Sequence, residues 1–294
     1  MSLHEDDWDK ESSSSGDDGD LDDASVTISL GEQGAKGSSY RITNDPASPL
    51  QRRTVVDRSG ICEVRCRSRE IVHGILSPDA DEYATLLMYQ IDLDARKRSR
   101  RILRAEIEFE FTSNTPGGLS PRVERIAPDG RRSLLPSTHE KAVTYGAEAA
   151  LEAPGGVAGA KVGVKWEKTV SRTVSDEARV TGSTICDADD FGREVGVRWI
   201  LDENKSKASG VPRRLRCAIL LARADKGPFS CRVRVKQKMD WKTEIGMQLF
   251  GSTPVDDPVL FDPRLPPTNK VTREGYDLGN LGGVDLDKFV EISS

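Results

Sequence analysis

The sequence predicts an all-β protein, an antiparallel β-sandwich of about eight to ten strands, on three observations. Apolar and polar residues alternate with period two in several separate segments, Gly, Pro, Asn and Asp gather between them, and no amphipathic helix of ten or more residues stands out. Mean hydropathy is −0.51 and 36% of the 294 residues are hydrophobic, so one compact core flanked by non-core ends is expected.

Residues 1–57 are expected to form a disordered acidic, Ser- and Gly-rich tail. Its first 23 residues hold ten carboxylates against Lys10 and a run of four serines, Ser12 to Ser15, too little apolar surface to offset the entropy of ordering. That stretch carries −9, so with −5 overall the remaining 271 residues carry +4. The acidic total conceals a mildly basic body, compatible with an anionic partner. A short β-like island, ASVTISL, ends at Leu30.

The sandwich is predicted over 58–250. In ATLLMYQIDLD, Leu87, Tyr89, Ile91 and Leu93 form an apolar face while Gln90, Asp92 and Asp94 are polar. ILRAEIEFEF repeats the pattern, with Leu103, Ala105, Ile107, Phe109 and Phe111 against Arg104, Glu106, Glu108 and Glu110. The two read as an antiparallel hairpin with one dry and one wet face. PRVERIAPDG is a short strand closed by a Pro-Asp-Gly turn, and VGVRWILDEN sets Val195, Val197, Trp199 and Leu201 on one side, followed by the loop NKSKASGVP. RRLRCAILLARAD and PFSCRVRVKQKMDW read as a second hairpin about Asp225, Lys226 and Gly227. From 251 to 294 the prolines argue against a central strand or helix, and an extended, weakly ordered segment clipped to the surface by Val259, Leu260 and Phe261 is expected.

The segments ATLLMYQIDLD, RAEIEFEF after a basic turn, IAPDG, WILDEN with GVP, CAILLAR and FGSTPVDDPVLFDP together resemble an uncharacterised group of β-rich proteins predicted in filamentous fungi, over roughly residues 70–265. The resemblance implies a fungal source and a self-contained β unit. No activity or site residue is assigned in that group, so it carries none across.

Enzyme chemistry has few footholds. There are only three histidines, His4, His73 and His139, and neither CxxC nor HxxxH spacing for zinc. GxSxG, Walker A and helix-opening GxGxxG motifs are absent. No catalytic residue, metal ligand set or cofactor is expected. Acidic loops at 78–82, 187–190 and 254–258 suit calcium by ligand type, although solvated turns are the far commoner reason for such clusters. Five cysteines, Cys62, Cys66, Cys186, Cys217 and Cys231, leave an odd one over and read as free, mostly buried thiols. The N-terminus is the opposite of a secretory signal and no apolar run approaches the roughly 20 residues of a spanning helix, so a cytoplasmic or nuclear location is expected.

Two features bear on binding. A candidate anion-binding face combines the turn residues Arg96, Lys97, Arg98, Arg100 and Arg101 with the strand residues Arg232, Arg234, Lys236 and Lys238, extended by Arg214 and Arg216 if their strand is the neighbour. Its plain alternative is a solvated, edge-protecting sheet face, and it lacks the aromatic platforms of single-strand binders. The second feature is a long Gly/Ala-rich hairpin, residues 142–181, whose even positions Val162, Val164 and Trp166 are clean enough for a lipid face while Lys168, Arg172 and Asp176 recur on the same side. A Lys or Arg facing lipid at the midplane costs about 2–4 kcal/mol.

These readings give a leading expectation of an intracellular, non-enzymatic binding module with an unidentified protein partner, anionic lipid or nucleic acid being lesser options. The first alternative is an aerolysin-like membrane-active β protein inserting the 142–181 hairpin. A hydrolase or calcium-dependent lipid binder is the second.

Overall fold

The computed structural model describes residues 41–59, 62–95, 100–150, 163–187, 192–240, 255–268 and 275–293. Among them are twelve strands: β1 (Thr54–Ser59), β2 (Cys62–Ile75), β3 (Tyr83–Ala95), β4 (Ile102–Ser113), β5 (Arg122–Ala127), β6 (Gly130–Ala150), β7 (Gly163–Cys186), β8 (Glu194–Asp202), β9 (Arg214–Arg223), β10 (Phe229–Met239), β11 (Val259–Phe261) and β12 (Glu291–Ser293). They form two antiparallel six-stranded sheets. The first runs β1-β2-β3-β9, with β5 and β12 sharing the far side of β9; the second runs β11-β10-β4-β8-β7-β6.

The fold class expected from alternation is the one found. Tyr89, Ile91, Leu215 and Ile219 of the first sheet meet Ile107, Phe109, Val197 and Trp199 of the second in one core, all at or below 1% exposure. Phe109 lies at its centre, tilted against Tyr89 at 4.7 Å between ring centroids and edge-on to Trp199 at 5.7 Å.

Two pairings differ from expectation. β3 and β4 do not form a hairpin: β3 pairs with β2 and β9, β4 with β10 and β8. Likewise β9 and β10 belong to opposite sheets. Period-two alternation tells which face of a strand is dry but not which strand lies beside it, and two consecutive strands facing one core can sit in either layer. One consequence is that Arg214 and Arg216 do not extend the β10 stripe. Arg214 pairs with Asp92 at 2.7 Å, and Arg216 with Glu291 at 2.5 Å, both on the first sheet.

The C-terminal region is clipped at Val259–Phe261, which pairs as β11 with Phe229–Cys231. Beyond this, two 3₁₀ turns, Leu281–Gly283 and Leu286–Phe289, lead to β12 and cover the outer face of the first sheet. Leu281 and Leu286 there close a second apolar cluster over Val72, Leu86, Met88 and Leu220. The even positions Ala84, Leu86 and Met88 of β3 are therefore dry as well, under a layer that the proline- and glycine-rich sequence did not announce. The close approach needs a glycine: a Cβ at Gly74 would stand 2.4 Å from the Leu278 carbonyl oxygen. Residues 41–52, expected within the tail, pack along the segment before β11 through Arg41–Asp257, Asn44–Asp257 and Arg52–Pro258 contacts.

Candidate functional site

β6 and β7 pair continuously from Gly130↔Gly182 to Ala150↔Gly163, whereas β8 accompanies β7 only from Cys186 to Arg179. Beyond that point the fourteen rungs from Ser137↔Asp176 to Ala150↔Gly163 have no third strand among the described residues. They make a two-stranded ribbon of roughly 45 Å at ~3.3 Å per residue. Its root is marked by a register shift between Leu134 and Ser137, where three steps of β6 span two of β7 around Pro136. Such a bulge adds twist and re-aims the strand at the place where it leaves the sandwich.

The root is well anchored. Ala178 and Val180 of β7 are buried in the core, and Gly182 lies opposite Trp199, whose indole Nε1 donates to the Pro128 carbonyl at 3.0 Å. A loop from the other side clasps the strand: Asn204 Nδ2 donates to the Asp176 carbonyl at 3.1 Å, and the Ser206 hydroxyl bonds to the Asp176 carboxylate.

Directly opposed residues of an antiparallel pair share a sheet face. By this register one face of the ribbon carries Val164 with Ala149, Trp166 with Ala147, Lys168 with Tyr145, and Val170 with Val143, then Arg172 with Lys141. The other carries Lys165 with Glu148, Thr169 with Thr144, and Ser171 with Ala142. One face is thus apolar but for Lys168 over its distal eight rungs, and the other is polar with an opposite-charge rung. Val164 and Trp166 lie on that distal apolar face; Val162 lies outside the described residues.

The candidate anion-binding residues divide. Arg96, Lys97 and Arg98 lie outside the described residues. Arg232, Arg234, Lys236 and Lys238 all stand exposed on one face of β10, but the neighbouring strand β4 opposes three of them with Glu110, Glu108 and Glu106. Arg234 pairs with Glu110, Lys236 with Glu106 at 3.4 Å, and Arg198 of β8 with Glu108 at 2.7 Å. Burial of Glu108 pushes its carboxyl up, but the Arg198 hydrogen bond and Lys236 outweigh it and hold it below the usual carboxylate range. The stripe is a charge ladder more than a free cationic surface.

At the ribbon end of the sandwich the balance differs. Arg101 pairs with Glu203 at 3.1 Å and Arg104 with Asp202 at 3.0 Å. Arg100, Lys205, Lys207 and Lys238 form no ion pair among the described residues. Strand direction brings them together: Lys238 opposes Arg104, the Asp240 amide donates to the Arg101 carbonyl, and Asp202 opposes Arg179 at the last β7–β8 rung. Sequence reasoning named Arg100, Arg101 and Lys238 but missed Lys205 and Lys207; the signal was the pair of lysines in NKSKASGVP.

In the acidic loops, Asp256 pairs with Arg58 at 2.7 Å, Asp257 with Arg41 at 2.6 Å and Glu82 with Arg122 at 3.4 Å, and no group of three metal-capable side chains gathers among the described residues. All five cysteines are free thiols; Cys66, Cys217 and Cys231 are buried, and burial pushes their thiols up. No helix among the described residues is long and apolar enough to cross a membrane, which leaves strands unaddressed.

No protein-family model matches the chain, and no curated protein does. Among solved structures the chain is similar to the membrane-inserted form of the Clostridium perfringens NetB toxin, at 7% identity and a TM-score of 0.27, over 60% of this chain and 78% of that one. The likeness is too slight to carry fold or function across.

Proposed function

We propose that the protein is a membrane-active β protein whose β6–β7 hairpin enters a bilayer while the sandwich remains outside. The observation that supports this reading is the ribbon: fourteen rungs with no third strand among the described residues, one distal face apolar but for Lys168 and the other polar. An isolated two-stranded hairpin is marginal in water, so a ribbon of this length calls for another environment or another partner. A transmembrane strand needs about 9–11 residues. The stretch beginning at Val143 and ending at Val170 supplies eight on each strand, and the sequence continues apolar through Leu151 and Ala153 on one side and Ala160 and Val162 on the other. Arg172 and Asp176 then fall outside the hydrocarbon. Lys168 falls near its edge, where a long cation snorkels and the penalty shrinks to about 0–1 kcal/mol. Two strands leave open edges that lipid cannot satisfy, so several copies must contribute hairpins to close a barrel.

The test is dye release from liposomes, together with single cysteines at 164 to 167 carrying an environment-sensitive dye. Insertion gives leakage and a blue shift at 164 and 166 but not at 165 and 167. No leakage and no shift at any position would refute it. The alternative of a non-enzymatic binding module has one observation in its favour, the unpaired cations at the ribbon end, and vesicle binding without leakage would favour it.

A further inference from the structure

We infer that the loops around the ribbon root form a docking surface for anionic lipid headgroups, centred on Lys205 and Lys207 and extended by Arg100 and Lys238. The inference rests on the membrane reading above and adds the lipid class to it. Four cations arrive there from three separate places in the chain: the start of β4, the 203–213 loop and the end of β10. In the middle of the β4–β10 ladder, by contrast, Arg234 pairs with Glu110 and Lys236 with Glu106. At the root, Arg101 pairs with Glu203 and Arg104 with Asp202, and these four cations form no ion pair among the described residues.

Position selects the ligand. The 203–207 segment is tied to the ribbon at Asp176, and the basic rung Lys141↔Arg172 lies four steps tipward, about 13 Å at ~3.3 Å per residue. With the apolar rungs from Val143↔Val170 onward in hydrocarbon, that rung falls in the headgroup layer. Lys205 and Lys207 then stand above it by about that distance, which a lysine side chain reaching down and a Debye length of about 8 Å span between them. Phosphate and carboxylate headgroups are the anions available at that level, and each Lys or Arg near an anionic surface adds to the attraction. A nucleic acid would meet the same charges, but would have to share the end of the sandwich with the projecting ribbon and would find no exposed aromatic rungs on β10 for stacking.

The full-length protein is floated with phosphatidylcholine vesicles and with vesicles containing about one-third phosphatidylserine, at low and high salt, with dye release recorded in the same samples. Wild type is expected to bind the anionic vesicles at least about tenfold more tightly, the preference shrinking as salt rises. The variant K205E/K207E, on an exposed loop, loses that preference, while the charge-matched control K226E/R232E keeps it. Equal binding to both vesicles, or equal loss in the control, overturns the docking surface. Leakage of neutral vesicles with no anionic preference overturns it while the inserting hairpin stands. Salt-sensitive, anionic-selective flotation without leakage upholds the surface and removes the hairpin reading. Binding to a DNA duplex with no flotation overturns the lipid assignment.

Discussion

β7 is one strand living in two settings. From Arg179 to Gly182 it lies between β6 and β8, and as far as Cys186 it keeps β8, with Ala178 and Val180 in the core; from Gly163 to Asp176 it has β6 alone among the described residues. Alternation runs through both halves, so hydrophobic period does not distinguish a strand that is covered from one that is waiting to be covered. The difference is made by a third strand and an opposing sheet, and it should divide the consequences of mutation between the two halves.

The largest expected effect lies in the covered half. Trp199→Ala removes a fully buried side chain that packs on Phe109 and caps Pro128, and should cost about 3–5 kcal/mol in denaturant unfolding. Trp166→Ala on the ribbon is expected to leave the unfolding midpoint almost unchanged while abolishing leakage. Equal destabilisation by both would mean that the ribbon is covered after all.

Next comes acid. His73 is buried beside Thr85, its Nδ1 3.0 Å from the Thr85 hydroxyl, and burial followed by the Arg223 charge lowers its pKa from 6.5 to about 4. The unfolded chain therefore takes up the proton first. Stability is whole above about pH 6.5, falls as pH drops toward 4, and changes no further on this account below it, by a sum on the order of 3 kcal/mol. Thermal melts from pH 7.5 to 4 should show that slope in wild type and a flatter one in His73→Gln. As the histidine sits in the sandwich, the ribbon's own behaviour is not expected to follow it.

At the boundary, Gly182→Ala would place a Cβ 2.1 Å from the Pro128 carbonyl oxygen and 2.9 Å from the Trp199 Nε1. A loss of about 1–3 kcal/mol is expected, with the ribbon root loosened and protease cutting near Pro136 accelerated. The smallest effect belongs to the solvated ladder: Glu106→Gln, facing Lys236 and Arg198, should cost under about 1 kcal/mol and vanish in high salt.

How much of this was legible follows from the same contrast. The dry faces of β3, β4, β8 and β10 could be read from their period, and Trp199 and Phe109 fell where alternation put them. Partners could not: the β3–β4 and β9–β10 connections cross between sheets, and nothing in a dry face records which layer owns it. The β10 stripe looked free because Glu106, Glu108 and Glu110 were assigned to a different neighbour, and the register made them its counter-ions. The ribbon root needed structure as well, since Lys205, Lys207, Arg100 and Lys238 are far apart in sequence and meet only through strand direction. The covering of the first sheet by Leu281 and Leu286 rests on two short turns with no periodic pattern.

The anchoring of β7 also has a mechanical side. Any force on the hairpin along its length is delivered to the sandwich as shear between β7 and β8, from Arg179↔Asp202 to Cys186↔Glu194, with the hydrogen bonds of that ladder loaded together instead of peeled one by one. Because Val180, Val197, Trp199 and Leu201 of that ladder are buried in a core whose two sheets are stitched by the crossing connections, the sandwich is built to stay whole while its ribbon is pulled.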